Sequence, residues 1–460
     1  LMRFLLFFAY FTSLAAKPNL LLITVDDMNR DSIGSYGCPI VNITPNIDRL
    51  ASEGIRFDRG FVNVAICMPC RAVLMTGRYP QTSGALGFDK INPEVPSLPE
   101  ALEKAGYYNS LIGKEIHVVP SRHKAFHRID KQKDLGGGRS ASAYAKAIRA
   151  SIKEANDADK PFFIMANAAD PHRPFAGAKG DSFKKIPFPR KIDPKQVPVP
   201  GFLPDLPEIR TELATYFQSV ARADQVVGAV LGELEKSGQA NNTLVLFLSD
   251  HGMPLPYAKT NCYLASNITP FILRWPGHII PGVTDEKNFV STIDVAPTFL
   301  AAAGVENLEG ANGLSLLPLM KGLKQANRNQ VFTFHERPYS RKHLPMRAIN
   351  NGDFLYIWNG WSDGKTQFRN ESMSGLTFKA MKNAKDPKVR ARADFYLHRT
   401  REELYDLRKD PDCLTNLLDK LGDNQSSRVS AMTKALWHWM KDVDDPDLEL
   451  FQNQVELALD

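Results

Sequence analysis

Residues 20–25 form a near-unbroken apolar run that stops on Asp26-Asp27, and the same kind of ending recurs three times along the chain. The run at 107–112 stops on Gly113-Lys114-Glu115-Ile116-His117. The run at 161–168 leads into Asp170-Pro171-His172-Arg173, and the run at 244–248 stops on Ser249-Asp250-His251-Gly252. A further apolar segment covers 268–275. Continuous rather than alternating apolar runs mark strands buried on both faces. Amphipathic stretches at 97–105, 141–154, 209–234 and 294–303 alternate with them, and Thr44 followed by Pro45 opens another helix. Strands alternating with helices require a large, mostly parallel sheet flanked by helices, an α/β fold. Ligands of such sheets gather beyond the carboxyl ends of the strands, where all four ionisable clusters fall.

Taken singly, each cluster has a plainer explanation. An Asp pair after a strand is a common turn and cap signal, and a lone His there is usually a hydrogen-bonded loop residue. Their shared position at four strand ends is what points to a site. Asp26, Asp27 and Asp250 could not crowd into one pocket unaided, because like charges a few ångströms apart raise each other's pKa. A hard divalent cation resolves the conflict, with oxygen ligands suited to Ca²⁺ or Mg²⁺ and His251 completing the set. Zinc fits less well, since no His and Cys cluster has its spacing.

From about residue 331 the pattern changes to short strands, such as 354–358, and a final helix around 429–439. The expected organisation is a large domain at 17–330 and a smaller one at 331–460, with a proline-rich surface excursion at 187–207. A chain of 460 residues suits that division. The 57 Lys and Arg against 51 Asp and Glu leave a net charge of +6, a small excess for this length, and the basic stretch Arg122-His123-Lys124 with His127-Arg128 reads more readily as a solvated loop than as a contact for an anionic chain. That excludes the usual nucleic-acid binder and permits an anionic substrate. Residues 1–16 carry Arg3, an apolar run and small residues ending in Ala15-Ala16, the pattern of a secretory signal. Export to a periplasmic or extracellular space, or to the lysosome in a eukaryotic host, is therefore expected. No other run approaches the ~18 residues of a membrane span, so no stable membrane insertion is expected.

Five cysteines are too few for a disulfide framework, and their number is odd. Two of them lie in Cys67-Met68-Pro69-Cys70-Arg71-Ala72-Val73-Leu74-Met75-Thr76-Gly77-Arg78. A zinc half-site would need a second pair, and Cys38, Cys262 and Cys413 are single and scattered. A thioredoxin-type redox pair would need its own short domain. The segment resembles the signature of the sulfatase family, Cys-x-Pro-Ser/Cys-Arg followed by Leu-x-Thr-Gly-Arg. Asp26-Asp27, the stretch from Thr44 to Leu50, Gly113-Lys114, Asp250-His251-Gly252 and the stretch from Glu403 to Leu407 resemble further landmarks of that family in the same order. The resemblance spans about residues 18–416 and implies an alkaline-phosphatase-like α/β domain with a small C-terminal antiparallel sheet and a helix.

It also implies a set of roles. Cys67 is converted to Cα-formylglycine by a formylglycine-generating enzyme. Asp26, Asp27, Asp250 and His251, with residue 67, ligate Ca²⁺, with Mg²⁺ as the alternative. Arg71 and Lys114 stabilise the nucleophile and the transferring group. His172 and Lys259 bind the sulfate and protonate the leaving group, while His117 takes up the proton when sulfate departs. The Lys114-to-His117 spacing, and His251 in place of asparagine, resemble the iduronate-2-sulfatase branch. The stretches 161–163 and 170–173, 222–228, 250–256 with Thr260-Asn261, and Pro345-Met346-Arg347 resemble the heparan N-sulfatase (sulfamidase) branch, which acts on N-sulfoglucosamine. The implied substrate is a glycosaminoglycan-type sugar carrying N- or O-sulfate. Asp170, Arg173, His335, Glu336 and Arg347 are candidates for recognising it; for the last three a salt bridge at the domain junction is an equal alternative. Three activities remain open: a glycan sulfatase or sulfamidase, a phosphonate or phosphate ester hydrolase, and a non-catalytic glycan binder. The last conflicts with every catalytic position being filled. A homodimer is compatible with the resemblance.

Overall fold

The computed structural model describes residues 17–118, 122–420 and 423–456, so the expected signal sequence at 1–16 lies outside the described residues. In chain order the strands are β1 (Asn19–Val25), β2 (Ile55–Phe57), β3 (Gly60–Phe61), β4 (Tyr108–Ile112), β5 (Arg128–Asp130), β6 (Phe162–Asn167) and β7 (Thr243–Ser249). They continue with β8 (Phe271–Arg274), β9 (Val283–Asp285), β10 (Val290–Ser291), β11 (Val331–His335), β12 (Met346–Asn350), β13 (Phe354–Asn359) and β14 (Glu402–Asp406). The large sheet has the order β5-β4-β6-β1-β7-β8-β2-β9. β1 sits in its middle, parallel to β6 and to β7, while β8 runs antiparallel to β7.

Alternate residues of the central strands feed two separate cores. Leu21, Ile23 and Val25 face one, and Leu20 and Leu22 face the other. On β7, Val245 and Phe247 are divided in the same way from Leu244, Leu246 and Leu248. The helices Pro45–Ser52, Ala141–Asp157 and Pro207–Lys236 cover the first face. The helices Cys67–Thr76, Leu98–Lys104 and Val295–Ala302 cover the second. Burial on both sides explains why these strands read as continuous apolar runs.

A second, fully antiparallel sheet has the order β11-β12-β13-β14. It docks on the segment that leads into the Cys67–Thr76 helix: Phe334 donates its backbone N–H to the Asn63 carbonyl at 2.8 Å, and Val64 bridges Phe334. Val62, Val64, Ile66, Cys70 and Val73 share a core with Phe334, Tyr356 and Trp358 and with Leu436 and Met440 of the Asp423–Asp442 helix. The connection between β13 and β14 carries two helices that the sequence reading did not identify, Leu376–Lys382 and Pro387–His398. Segment 187–207 is irregular apart from a single turn at Pro194–Gln196. Among the described residues no helix is long and apolar enough to cross a membrane, and all five cysteines are free thiols.

Candidate active site

The carboxyl ends of β1, β6 and β7 are stitched together by their own backbone. The Asp250 N–H donates to the Val25 carbonyl at 3.1 Å, the Asp27 N–H to Asp250 Oδ1 at 3.1 Å, and the Asp26 N–H to the Asp170 carbonyl at 3.2 Å. Asp26, Asp27, Asp250 and His251 are all fully buried where these ends meet. From below, the Cys67–Thr76 helix presents its first turn to the same place, with Cys67 as its first residue and no side chain capping it. The free N–H groups of such an end, to which Pro69 adds none, favour a bound anion. Gly77 closes the helix at φ 63°, where a Cβ would press on the Ile293 carbonyl oxygen at 3.2 Å.

Arg71 extends from the second turn of this helix into the centre. Its Nη2 donates to Asp26 and, at 3.3 Å, to Asp250, while Nη1 donates to Thr24 at 2.9 Å. Lys114, in a left-handed turn after β4, pairs with the other Asp26 oxygen. Burial alone would raise the Asp26 pKa, yet Lys114 and Arg71 hold this carboxyl well below the usual range. Asp250 moves the other way: burial, and then the charge on Asp26, raise it. Lys259 donates to Asp27 Oδ2 and to Glu371 Oε2, both at 2.9 Å.

His251 shows whether a cation suits the cluster. Its Nδ1 lies 3.0 Å from the Gly252 carbonyl and must donate to it, so in the neutral ring Nε2 carries a lone pair. That lone pair points at Asp27 Oδ1 at 3.3 Å, Asp250 Oδ1 at 3.6 Å and Cys67 Sγ at 3.4 Å. Lone pairs and carboxylate oxygens converging on one point repel unless a positive centre lies between them. The donor set therefore fits a divalent cation. Burial pushes the Cys67 thiol well above its ordinary value despite Lys259 nearby.

His172 faces the centre from the loop after β6. Its Nδ1 donates to the Arg173 carbonyl at 2.7 Å, and its Nε2 lies 3.2 Å from Glu371 Oε1. His117 stands edge-on to Phe88; burial, followed by Lys114 and Arg71, lowers it to about 3, so it is neutral. Cys67, Lys259 and Glu371 line a cavity of about 390 Å³ together with Phe88, Tyr339 and Arg369. A wider groove of about 780 Å³ begins on the other side of His172 and Glu371 and is bordered by Lys179 and Lys379.

The five sequence candidates for sugar recognition do not join this cluster. Asp170 is fully buried, and its oxygens take Arg222 at 2.6 and 3.1 Å and Arg139 at 3.1 Å. It thereby fastens the turn that carries His172. Arg173 lies on the groove, engaged with Glu212 and the Pro254 carbonyl. Arg347 is enclosed by Asp445 at 2.6 Å and by Glu336 and Asp447 at 3.0 Å. His335 is fully buried, with neither ring nitrogen hydrogen-bonded. Conversely, Glu371, Phe88, Tyr339 and Arg369 were not identified from sequence. Glu371 sits in an Asn-Glu-Ser stretch without periodicity, and only the fold brings it to the strand ends.

The family profile described as Sulfatase matches residues 18–305. The human N-sulphoglucosamine sulphohydrolase (Homo sapiens) is 30% identical, over 92% of this chain and 90% of its own. A protein solved in complex with its substrate D-glucosamine-2-N,6-O-disulfate superposes with a TM-score of 0.67 at 20% identity, covering 94% of this chain and 99% of that one. The phosphonate monoester hydrolase of Agrobacterium radiobacter superposes with a TM-score of 0.69 at 19% identity, covering 91% and 95%. These two likenesses establish a shared fold.

Proposed function

The chain belongs to the sulfatase family, and from that premise we propose that it removes sulfate from the nitrogen of an N-sulfoglucosamine-type residue in a glycosaminoglycan-like saccharide. The observation that carries this reading is the convergence of Cys67, three buried carboxylates, His251, Arg71, Lys114, His172 and Lys259 on one point, in a chain 30% identical to an N-sulphoglucosamine sulphohydrolase.

Asp26, Asp27, Asp250 and His251, with residue 67, would hold Ca²⁺, or Mg²⁺ in its place, and the cation would polarise the nucleophile and the sulfuryl oxygens. Cys67 is read as the site of formylglycine, whose hydrate supplies one hydroxyl for attack on sulfur and a second whose deprotonation releases the sulfate. That conversion would give the sulfate an exit that a plain cysteine lacks, since a thiolate would trap it.

The other side chains bind, orient and move protons. Arg71 and Lys114, fixed by Asp26, keep positive charge beside the transferring group. Lys259 is held by Asp27 and meets the sulfate oxygens. His172, hydrogen-bonded through Nδ1, offers Nε2–H to the leaving atom. His117 is neutral and accepts the proton that leaves with the sulfate-releasing step. Phe88, Tyr339 and Arg369 form the wall against which the sugar stacks and pairs. The exported location, a formylglycine-generating enzyme as maturation partner and a homodimer belong to the same reading.

Turnover of glucosamine N-sulfate, uronate 2-sulfate and a phosphonate monoester, each measured by release of the inorganic anion, tests the proposal. The expected order places the sulfamate first. Phosphonate turnover exceeding both sulfated sugars by orders of magnitude would assign the chain to the other chemistry of this fold.

A further inference from the structure

Among the described residues, Glu371 is the acidic side chain that the region beyond residue 330 contributes to the cluster. It lies on the short turn Glu371–Met373 between β13 and β14, whereas the other members come from the large sheet and its signature helix. Its two oxygens are divided: Oε1 is 3.2 Å from His172 Nε2, and Oε2 is 2.9 Å from Lys259 Nζ. Those are the two side chains read above as touching the leaving atom and the sulfate. An atom held by both therefore has the Glu371 carboxylate as a neighbour. The residue also forms the partition between the cavity beside Cys67 and the groove beyond His172. Its side chain is 40% exposed; partial desolvation opposes its charge, but Lys259 and His172 bring it down to about 2, so it is an ionised carboxylate, able only to accept.

An acceptor at this point discriminates between the two bonds that a sulfated amino sugar offers. A sulfamate nitrogen carries a hydrogen and can donate to a carboxylate. An ester oxygen carries only lone pairs and would face the carboxylate unfavourably. Resting on the sulfamidase reading, we propose that Glu371 is the specificity-determining residue that selects S–N over S–O cleavage by accepting the N–H of the sulfamate. In the step it favours, a hydroxyl that formylglycine would supply at residue 67 would bond to sulfur, its proton passing to a carboxylate of the cluster, as the S–N bond breaks. The electron pair stays on nitrogen, which takes a proton from His172 and leaves as an amine. Glu371 loses no atoms; it holds the nitrogen so that its lone pair faces His172. A hydrogen bond to a charged acceptor, set against lone-pair repulsion for the ester, supports a discrimination of roughly ten- to a hundred-fold.

The test compares glucosamine N-sulfate with glucosamine 6-sulfate, the same sugar with the two bond types, on wild type, Glu371→Gln and Glu371→Ala. The expected result is a ratio of kcat/KM, sulfamate over ester, that falls by roughly ten- to a hundred-fold in both variants. An equal loss on both substrates, or an unchanged ratio, overturns the inference. If the wild-type protein cleaves the ester and leaves the sulfamate intact, the inference fails while the sulfatase chemistry stands. If it cleaves neither sugar sulfate, the functional reading of the site fails, and the inference with it.

Discussion

Lys259 donates to both carboxylate oxygens of Asp27, at 3.0 and 2.9 Å, from a position only 2% exposed. Burial works against a charge there, but the Asp27 carboxylate raises this ammonium well above its ordinary value, so it stays charged at neutral pH. It is thus a fixed positive centre beside residue 67. Replacing Lys259 with Met should lower kcat on a sulfated sugar by roughly 10²–10³-fold, the usual loss for one preorganised charge-stabilising donor. A kcat within threefold of wild type, in a protein with an unchanged circular dichroism spectrum, would remove Lys259 from the reaction.

The lone pair of His251 and the carboxylates of Asp27 and Asp250 converge on one point, an arrangement that a cation would relieve of repulsion. A cation bound there should stabilise the fold by mass action, by about 2.7 kcal/mol at a hundred times its Kd. Thermal melts of the protein after exhaustive chelation should show a lower Tm, restored by Ca²⁺ or Mg²⁺ alongside activity. An identical melt before and after removal of all metal would contradict the assignment of His251, Asp27 and Asp250, with Asp26, as its ligands.

The main site was legible because its geometry follows from topology. Asp26, Lys114, His172 and Asp250 sit just beyond buried strands, and a parallel sheet gathers its strand ends on one edge. Sequence could not show what lay beneath. Asp170 looked like a surface ligand, because Arg139 and Arg222, which occupy its oxygens, are 31 and 52 residues away. Glu371 was illegible for the opposite reason: it reaches the site across 112 residues from Lys259, on an irregular turn. The helix Pro387–His398 did have a local signal, Asp386 capping the Lys388 N–H ahead of Pro387, but no strong apolar stripe accompanies it.

For Arg347 the structure displays the second of the two roles that the sequence left open, a salt bridge. It is fully buried and compensates Asp445, Asp447 and Glu336 between the second sheet and the C-terminal region. Removing it leaves those charges unpaired, so Arg347→Met should destabilise the protein by about 3–5 kcal/mol in urea unfolding. A sugar-binding role predicts instead a raised KM with unchanged stability.

His335 makes a pH prediction of definite sign. Burial, followed by Arg347 and Arg399, lowers it from 6.5 to about 3 in the folded protein. Between those values the unfolded chain binds a proton that the folded one does not. The stability is therefore present above 6.5 and is lost as pH falls towards 3. His117 acts in the same sense. Urea midpoints measured across this window should fall less steeply in His335→Leu than in wild type. Parallel slopes would show that His335 is protonated in the native state.

The central claim is that residue 67 is no longer a cysteine in the working enzyme. Mass spectrometry of the peptide containing Cys67, from protein matured in a host with a converting enzyme and assayed in the same preparation, addresses it directly. The account predicts an aldehyde, or its hydrate, in place of the thiol, at an occupancy that tracks specific activity. Fully active protein carrying an unmodified Cys67 thiol would contradict it.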